Sequence, residues 1–315
     1  MHLIDSVLAI LLMIGVGVFA AWKMGFNEQN STALPRLVIG VTLPAYMISN
    51  ISVNYSSESL IAMAPGLSVP FAALGICYVL GTFVARLIGL PTNRRGTFTS
   101  MFALSNTIFI GLPVNLMLFG EKSTPYVLLF YIANTVLFWT VGVYGISRDG
   151  DSASARVFAL ANLKRVFSPP LTSFLFAVVC VLAGIKLPTL VLSVCKTVGN
   201  STTPLSMIFI GIVLHSVDWR SIRLDRSLAS LIGARFILAP LVVIALCRFV
   251  PLPLLMKQVF VIQASMPIMT QTAILAKTYN ADYKYAAVMT SVTTLISLVT
   301  IPMVMLLMNH FDLFG

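Results

Sequence analysis

Long apolar runs, separated by short polar or Gly/Pro-rich stretches, recur along this chain near residues 3–22, 32–51, 64–89, 97–118, 124–146, 168–184, 189–214, 228–250, 256–276 and 285–308. A helix needs about 20 such residues to cross the hydrocarbon of a bilayer. The pattern therefore predicts an all-α polytopic membrane protein with ten transmembrane helices and short loops. The first run follows His2 and Asp5 and not a basic stretch. It is longer than a signal-peptide core and has no small-residue cleavage site before Trp22-Lys23, so it is read as the first span.

Composition agrees with the pattern. Of 315 residues, 58% are hydrophobic and 10% are charged, against the roughly 25% charged of soluble domains. The net charge of +10 raises nucleic acid as a partner. The basic residues, however, lie in short loops between apolar runs and not on one face or tail, so no nucleic-acid partner is expected. Topology accounts for them. Lys23, Arg36, Arg86, Arg94, Arg95, Arg148, Arg156, Lys164, Arg165, Arg220, Arg223, Arg226, Lys277 and Lys284 fall on one side, and Lys122, Lys186, Lys196, Arg248 and Lys257 on the other. Fourteen against five places the first set in the cytoplasm and both termini outside, in a multi-pass protein of the cell's inner (plasma) membrane.

The longest loop, about residues 147–167, divides the spans into two groups of five. Five is odd, so the second group enters the membrane from the opposite side, giving two inverted five-helix repeats. The landmarks agree: Pro44 in span two matches Pro204 in span seven, and spans four and nine are each interrupted by polar residues and a proline. The interruptions read Ser105-Asn106-Thr107-Ile108-Phe109-Ile110-Gly111-Leu112-Pro113 and Gln263-Ala264-Ser265-Met266-Pro267.

Lipid offers backbone groups no partner, so a spanning helix breaks at depth only where protein or a water-filled cavity takes over. Matched breaks in two halves point to a carrier's binding site. The second half of a broken helix starts with unpaired N–H groups and a partial positive charge, which suits a carboxylate. Asn106, Ser105, Thr107, Gln263 and Ser265 would supplement those ends, with Thr270 and Gln271 as further cavity candidates and Gly111, Pro113, Met266 and Pro267 shaping the crossover. A second reading stays open, in which the prolines kink structural helices and the polar side chains serve helix packing.

Arg235 stands about eight residues into span eight, where an unpaired charge costs about 2.5–3.5 kcal/mol. A substrate-facing role and a structural role, snorkelling or binding a helix C-cap, are both open for it. His215 and Asp218 read as interfacial residues, and Lys277 as a positive-inside anchor. No Asp or Glu lies near the middle of a span, so a built-in carboxylate relay for protons or sodium is not expected. Coupling to a proton carried on the substrate, or to sodium held by carbonyl and hydroxyl oxygens, remains open, and no cofactor is expected. Cys77, Cys180, Cys195 and Cys247 show neither CxxC spacing nor a disulfide framework, so no metal site is expected. No P-loop, HExxH or GxSxG motif occurs, which leaves no catalytic residue and no enzyme reading.

At the interrupted spans the chain resembles the auxin efflux carrier family, which includes bacterial malate and malonate permeases and, more distantly, plant auxin carriers. The resemblance rests on Leu43-Pro44, SNTIFIGLPV at 105–114, RFILAP at 235–240, VIQASMP at 261–267 and AKTYN at 276–280. It implies crossed, broken helices four and nine, as in bile-acid symporters and sodium–proton antiporters. It implies scaffold helices within 1–55 and 151–215, a transport domain from 56–150 and 216–315, elevator-type alternating access and a homodimer. It also gives Asn106 the role of contacting a substrate carboxylate. The plant carriers have a far larger loop between spans five and six, so the resemblance favours the organic-acid branch over auxin. An anion channel and a non-transporting membrane sensor are the competing classes.

Overall fold

The structure is a computed structural model that describes residues 2–26, 31, 33–150, 166–216 and 225–310. Among the described residues it is all-helical, with one isolated β-bridge and no strand. Six helices among the described residues are long and apolar enough to cross a membrane, and shorter apolar helices accompany them. The helices are α1 (His2–Met24), α2 (Ala33–Asn54), α3 (Ser57–Leu87), α4 (Thr92–Ala103), α5 (Thr107–Phe119) and α6 (Glu121–Asp149). They continue as α7 (Pro169–Leu182), α8 (Thr189–His215), α9 (Arg226–Leu246), α10 (Leu254–Ala264), α11 (Gln271–Thr278) and α12 (Tyr283–His310). The apolar runs at 97–118 and 256–276 are each divided between two helices. Asp151, Arg156, Lys164, Arg165, Asp218, Arg220 and Arg223 lie outside the described residues, as does most of the expected loop at 147–167.

Large apolar side chains face outward. Leu12, Val16, Phe19 and Trp22 of α1 and Val79, Phe83 and Leu87 of α3 are exposed. In water such stripes would be unfavourable; in a bilayer they are the solvent-facing surface.

The chain divides into two compact units. The first comprises 1–65, 108–126 and 167–216, and the second 66–107, 127–166 and 217–315. In the first, α1 packs on α8, and α2 packs on α7 and α8. Helices in lipid gain no hydrophobic drive from association, so close backbone approach over small residues takes its place. A Cβ on Gly17 would lie 2.1 Å from Ile208 O, and one on Gly211 would lie 2.1 Å from Ile14 O. Thr202 Oγ1 donates to Thr42 Oγ1 at 3.1 Å, joining α8 to α2.

In the second unit α4 packs between α3 and α6, and α9 packs against α3 and α10. Gly96 of α4 meets the backbone of Gly145 of α6, where a Cβ would come within 1.9 Å of Gly145 O. Asp149 accepts from the N–H groups of Gly96 and Thr97, at 2.9 and 2.6 Å.

Three helices contain a wide turn with bonds running five residues back, at Val38–Thr42, Thr107–Gly111 and Ala234–Leu238. Each wide turn ends two residues before a proline: Pro44, Pro113 and Pro240. Proline lacks an N–H, and its ring clashes with the carbonyl four residues back. Widening the preceding turn relieves that clash and lets the next N–H find a partner, as when Leu43 donates to Val38 O and Ala239 to Ala234 O. A fourth wide turn, Phe138–Gly142, has no following proline, and there Gly142 O accepts from Ser100 Oγ at 3.1 Å.

Two glycines on one helix separate packing from propensity. A Cβ on Gly15 would meet nothing within 4 Å, so Gly15→Ala should be neutral or stabilising by up to about 1 kcal/mol. Gly17→Ala overpacks the α1–α8 contact and should cost about 1–3 kcal/mol. Thermal unfolding of the purified variants in detergent checks the contrast, and equal midpoints would refute it.

Candidate functional site

α4 and α10 both stop inside apolar sequence, and helix resumes at Thr107 and Gln271. The non-helical links pass each other in opposite directions. Ser105 pairs with Ile268 in an antiparallel bridge, and Asn106 N–H donates to Pro267 O at 2.9 Å. Two backbone interruptions thus satisfy part of each other's hydrogen-bonding demand, which lipid could not.

α6 and α12 supply further partners. Asn134 of α6 holds both backbone groups of Ser105: its Oδ1 accepts from Ser105 N and its Nδ2 donates to Ser105 O, each at 3.0 Å. Thr293 of α12 accepts from Ile268 N through Oγ1 at 3.4 Å. A side-chain amide has one donor end and one acceptor end, so Asn134 can complete an extended residue as a neighbouring strand would.

Arg235 joins the two breaks. Its side chain is 0% exposed. Nη1 donates to Ala103 O at 2.8 Å and, more distantly, to Phe102 O at 3.4 Å. Nη2 donates to Ala264 O at 2.8 Å and Met266 O at 2.9 Å, and Nε donates to Met266 O at 3.1 Å. These carbonyls lie at the C-terminal ends of α4 and α10, where a helix leaves its last four C=O groups unsatisfied and carries partial negative charge. The guanidinium is planar, always charged and carries five donors in a fixed fork. It therefore caps two helices at once. Among the described residues the ion pair present is Arg94–Asp282 at 2.6 Å, so Arg235 is neutralised by carbonyl dipoles and not by a carboxylate. The wide turn at Ala234–Leu238 contains Arg235 itself.

The expected site residues have distinct places around this crossing. Asn106, 5% exposed, donates from Nδ2 to Thr270 Oγ1 at 2.9 Å. Thr270 is the N-cap of α11, yet it makes no side-chain cap bond to that helix. Gln263 Nε2 donates to Thr107 O at 3.2 Å, while its Oε1 is buried without a partner. Ser105 Oγ, Thr272 Oγ1 and Gln271 Oε1 are likewise buried and unpartnered. Ser265 is different, because its hydroxyl donates to Val261 O in its own helix at 2.8 Å. Met266 and Pro267 act through their carbonyls. Gly111 O accepts from Asn115 Nδ2 at 2.7 Å, and both Gly111 and Pro113 lie further along α5, in the stretch of the first unit that begins at Ile108.

Hydrogen bonds thus bring together Ser105, Asn106, Thr107, Gln263, Met266, Pro267, Thr270 and Arg235. Sequence reasoning passed over Asn134, Thr293 and Thr272. The signal of Asn134 and Thr293 is a polar side chain inside an apolar segment, as in Ile132-Ala133-Asn134-Thr135-Val136, whereas Thr272 directly follows the candidates Thr270 and Gln271. Among the described residues no group of three or more His, Cys, Asp and Glu could hold a metal ion. The crossing offers hydroxyl and amide groups, helix ends and one guanidinium already committed to backbone carbonyls.

The family described as "Membrane transport protein" matches residues 2–305. An uncharacterized transporter of Methanocaldococcus jannaschii is 27% identical over 305 residues, covering 94% of this chain and 96% of that protein. An uncharacterized transporter of Methanothermobacter thermautotrophicus is 26% identical over 308 residues, covering 95% and 96%.

The double cap makes Arg235 a stability determinant. Removing the guanidinium leaves buried carbonyl oxygens at two helix ends without a donor, each costing about 1–3 kcal/mol. Arg235→Gln should therefore lower the thermal midpoint strongly, and Arg235→Lys should recover little, since one ammonium cannot span both helix ends. Midpoints equal to wild type in Arg235→Gln would contradict the capping role.

Proposed function

This chain belongs to the membrane transport protein family, the auxin efflux carriers of its sequence motifs, and on that premise we propose that it is a secondary carrier of small organic anions of the malate or malonate type. The observation that carries the reading is the crossing of two broken helices with buried, unpartnered polar groups around it. The hydroxyls of Ser105 and Thr272 can donate to a carboxylate, and the amide oxygens of Gln263 and Gln271 can accept from a substrate hydroxyl or a protonated carboxyl. The start of α11, whose N-cap oxygen is turned to Asn106, adds partial positive charge. A hydroxy-dicarboxylate matches that mixture of donors and acceptors better than a purely apolar acid does.

In this reading the ten spans form two inverted repeats, and the termini face away from the cytoplasm. The unit that contains the crossing is the moving transport domain of an elevator, and the unit built on α1, α2, α7 and α8 is the scaffold of a homodimer. The grouping of α1, α2, α7 and α8 in one compact unit supports the scaffold; that unit also includes 108–126, which the resemblance assigns to the transport domain. The exchange is uniport, antiport or proton-linked through the substrate, since a mid-span carboxylate to serve as a relay is lacking in the sequence. Sodium-coupled symport is the alternative that would use the same oxygens.

Counterflow of labelled malate and malonate into proteoliposomes tests the function. Transient accumulation against internal unlabelled substrate is expected. A channel would instead pass current without exchange-stimulated flux. A hydrogen bond to a charged group is worth about 1.5–3 kcal/mol, so Asn106→Ala should reduce the specificity of transport by about 10- to 100-fold. Unchanged affinity and rate in that variant would remove Asn106 from the site.

A further inference from the structure

A cavity lies in the second unit, and none of the crossing residues lines it. It has a volume of about 510 Å³ and is bounded by the C-terminal end of α3, the start of α4 and the end of α6. Its charged lining is Arg86, Arg95, Arg148 and Asp149. The single carboxylate is already engaged, because both Asp149 oxygens accept backbone N–H groups of α4. Arg95 is fixed at the wall by a bond from Nε to Leu90 O at 2.7 Å. Arg148 lies over the Tyr144 ring, with its guanidinium carbon 5.8 Å from the centroid. Neither Arg86 nor Arg148 makes a direct ion pair among the described residues, although the charge of Arg148 acts on the adjacent Asp149 carboxylate, whereas the neighbouring Arg94 is committed to Asp282.

We propose that this cavity binds a phosphate-type anion, with the headgroup of an acidic phospholipid as the source that its surroundings fit. Guanidinium groups pair with phosphate oxygens in a bidentate manner, and basic pockets between membrane helices suit acidic headgroups. The volume accommodates a phosphate with an attached polyol. The apolar surroundings supply the rest. Val79, Phe83 and Leu87 recur at four-residue spacing along α3, all exposed, and the last two adjoin the cavity residues Thr82 and Arg86 in sequence. Residues spaced by four lie on one face of a helix. Acyl chains lying along that face would carry their phosphate to the level of Arg86. The arginines, at or near helix ends, belong to the set of basic residues that the charge alternation assigns to the cytoplasmic side, where acidic lipids attract basic groups. The site does not depend on which substrate crosses at the helix breaks.

Thermal unfolding of the detergent-purified protein, titrated separately with phosphatidylglycerol, phosphatidylcholine and inorganic phosphate, tests the proposal, with native mass spectrometry counting retained lipid. Phosphatidylglycerol should stabilise the wild type and remain bound, while phosphatidylcholine does neither. The double variant R86Q/R148Q should weaken the phosphatidylglycerol response about tenfold or more, each lost charged hydrogen bond being worth at least that factor. A response to inorganic phosphate that the double variant also loses would support the anion site and identify a soluble source. An equal phosphatidylglycerol response in wild type and double variant overturns the proposal, as does no response to either anion. Should the double variant not purify, Arg86→Gln alone serves the comparison, since Arg86 is exposed and its removal leaves the helix packing intact.

Discussion

One guanidinium bound to carbonyls from two interrupted helices sets the terms for the second unit. α4 and α10 end where no lipid or bulk water can take their terminal C=O groups, and Arg235 takes them together. The cost of burying a cation is offset by the concentrated negative ends of two helix dipoles. A neutral donor would lack the charge to meet both ends, and an acid nearby would compete with the carbonyls for the same nitrogens. The structure satisfies the constraint with side chains that need no titration. The interruption can therefore stay ordered over a wide pH range.

The same demand explains the neighbouring parts. Asn134 and Thr293 complete the extended residues on either side of the bridge. Wide turns before Pro44, Pro113 and Pro240 keep those helices continuous although each proline removes a donor. Glycines at the α1–α8 and α4–α6 contacts bring backbones together where no hydrophobic drive operates. The result is a helical framework in which breaks, bends and close contacts each have a local chemical cause.

Much of this is legible in the sequence. The membrane class follows from the apolar runs, because the bilayer fixes both their length and their lack of charge. That the runs at 97–118 and 256–276 are interrupted is legible, because polar residues and proline have no place in an unbroken span; the links themselves fall at 104–106 and 265–270, so Pro113 stands inside a helix and not in the break. What is not legible is which distant atoms meet there. Arg235 shows as a charge in an apolar run, but its partners are backbone carbonyls, and every residue has one. Asn134 and Thr293 are hidden for a similar reason, since a single amide or hydroxyl among apolar neighbours is common in membrane helices. Ser265 shows the converse case: a polar residue of the interruption whose hydroxyl serves its own helix.

The clamp around Arg235 is made largely of main-chain atoms, and this has an evolutionary consequence. A framework held by carbonyls does not record which side chains those carbonyls carry. Phe102, Ala103, Ala264 and Met266 can each change type without withdrawing the acceptor that the guanidinium needs. Architecture and ligand preference are thereby encoded in different atoms, and a lineage can drift in what it recognises while inheriting the same crossing intact.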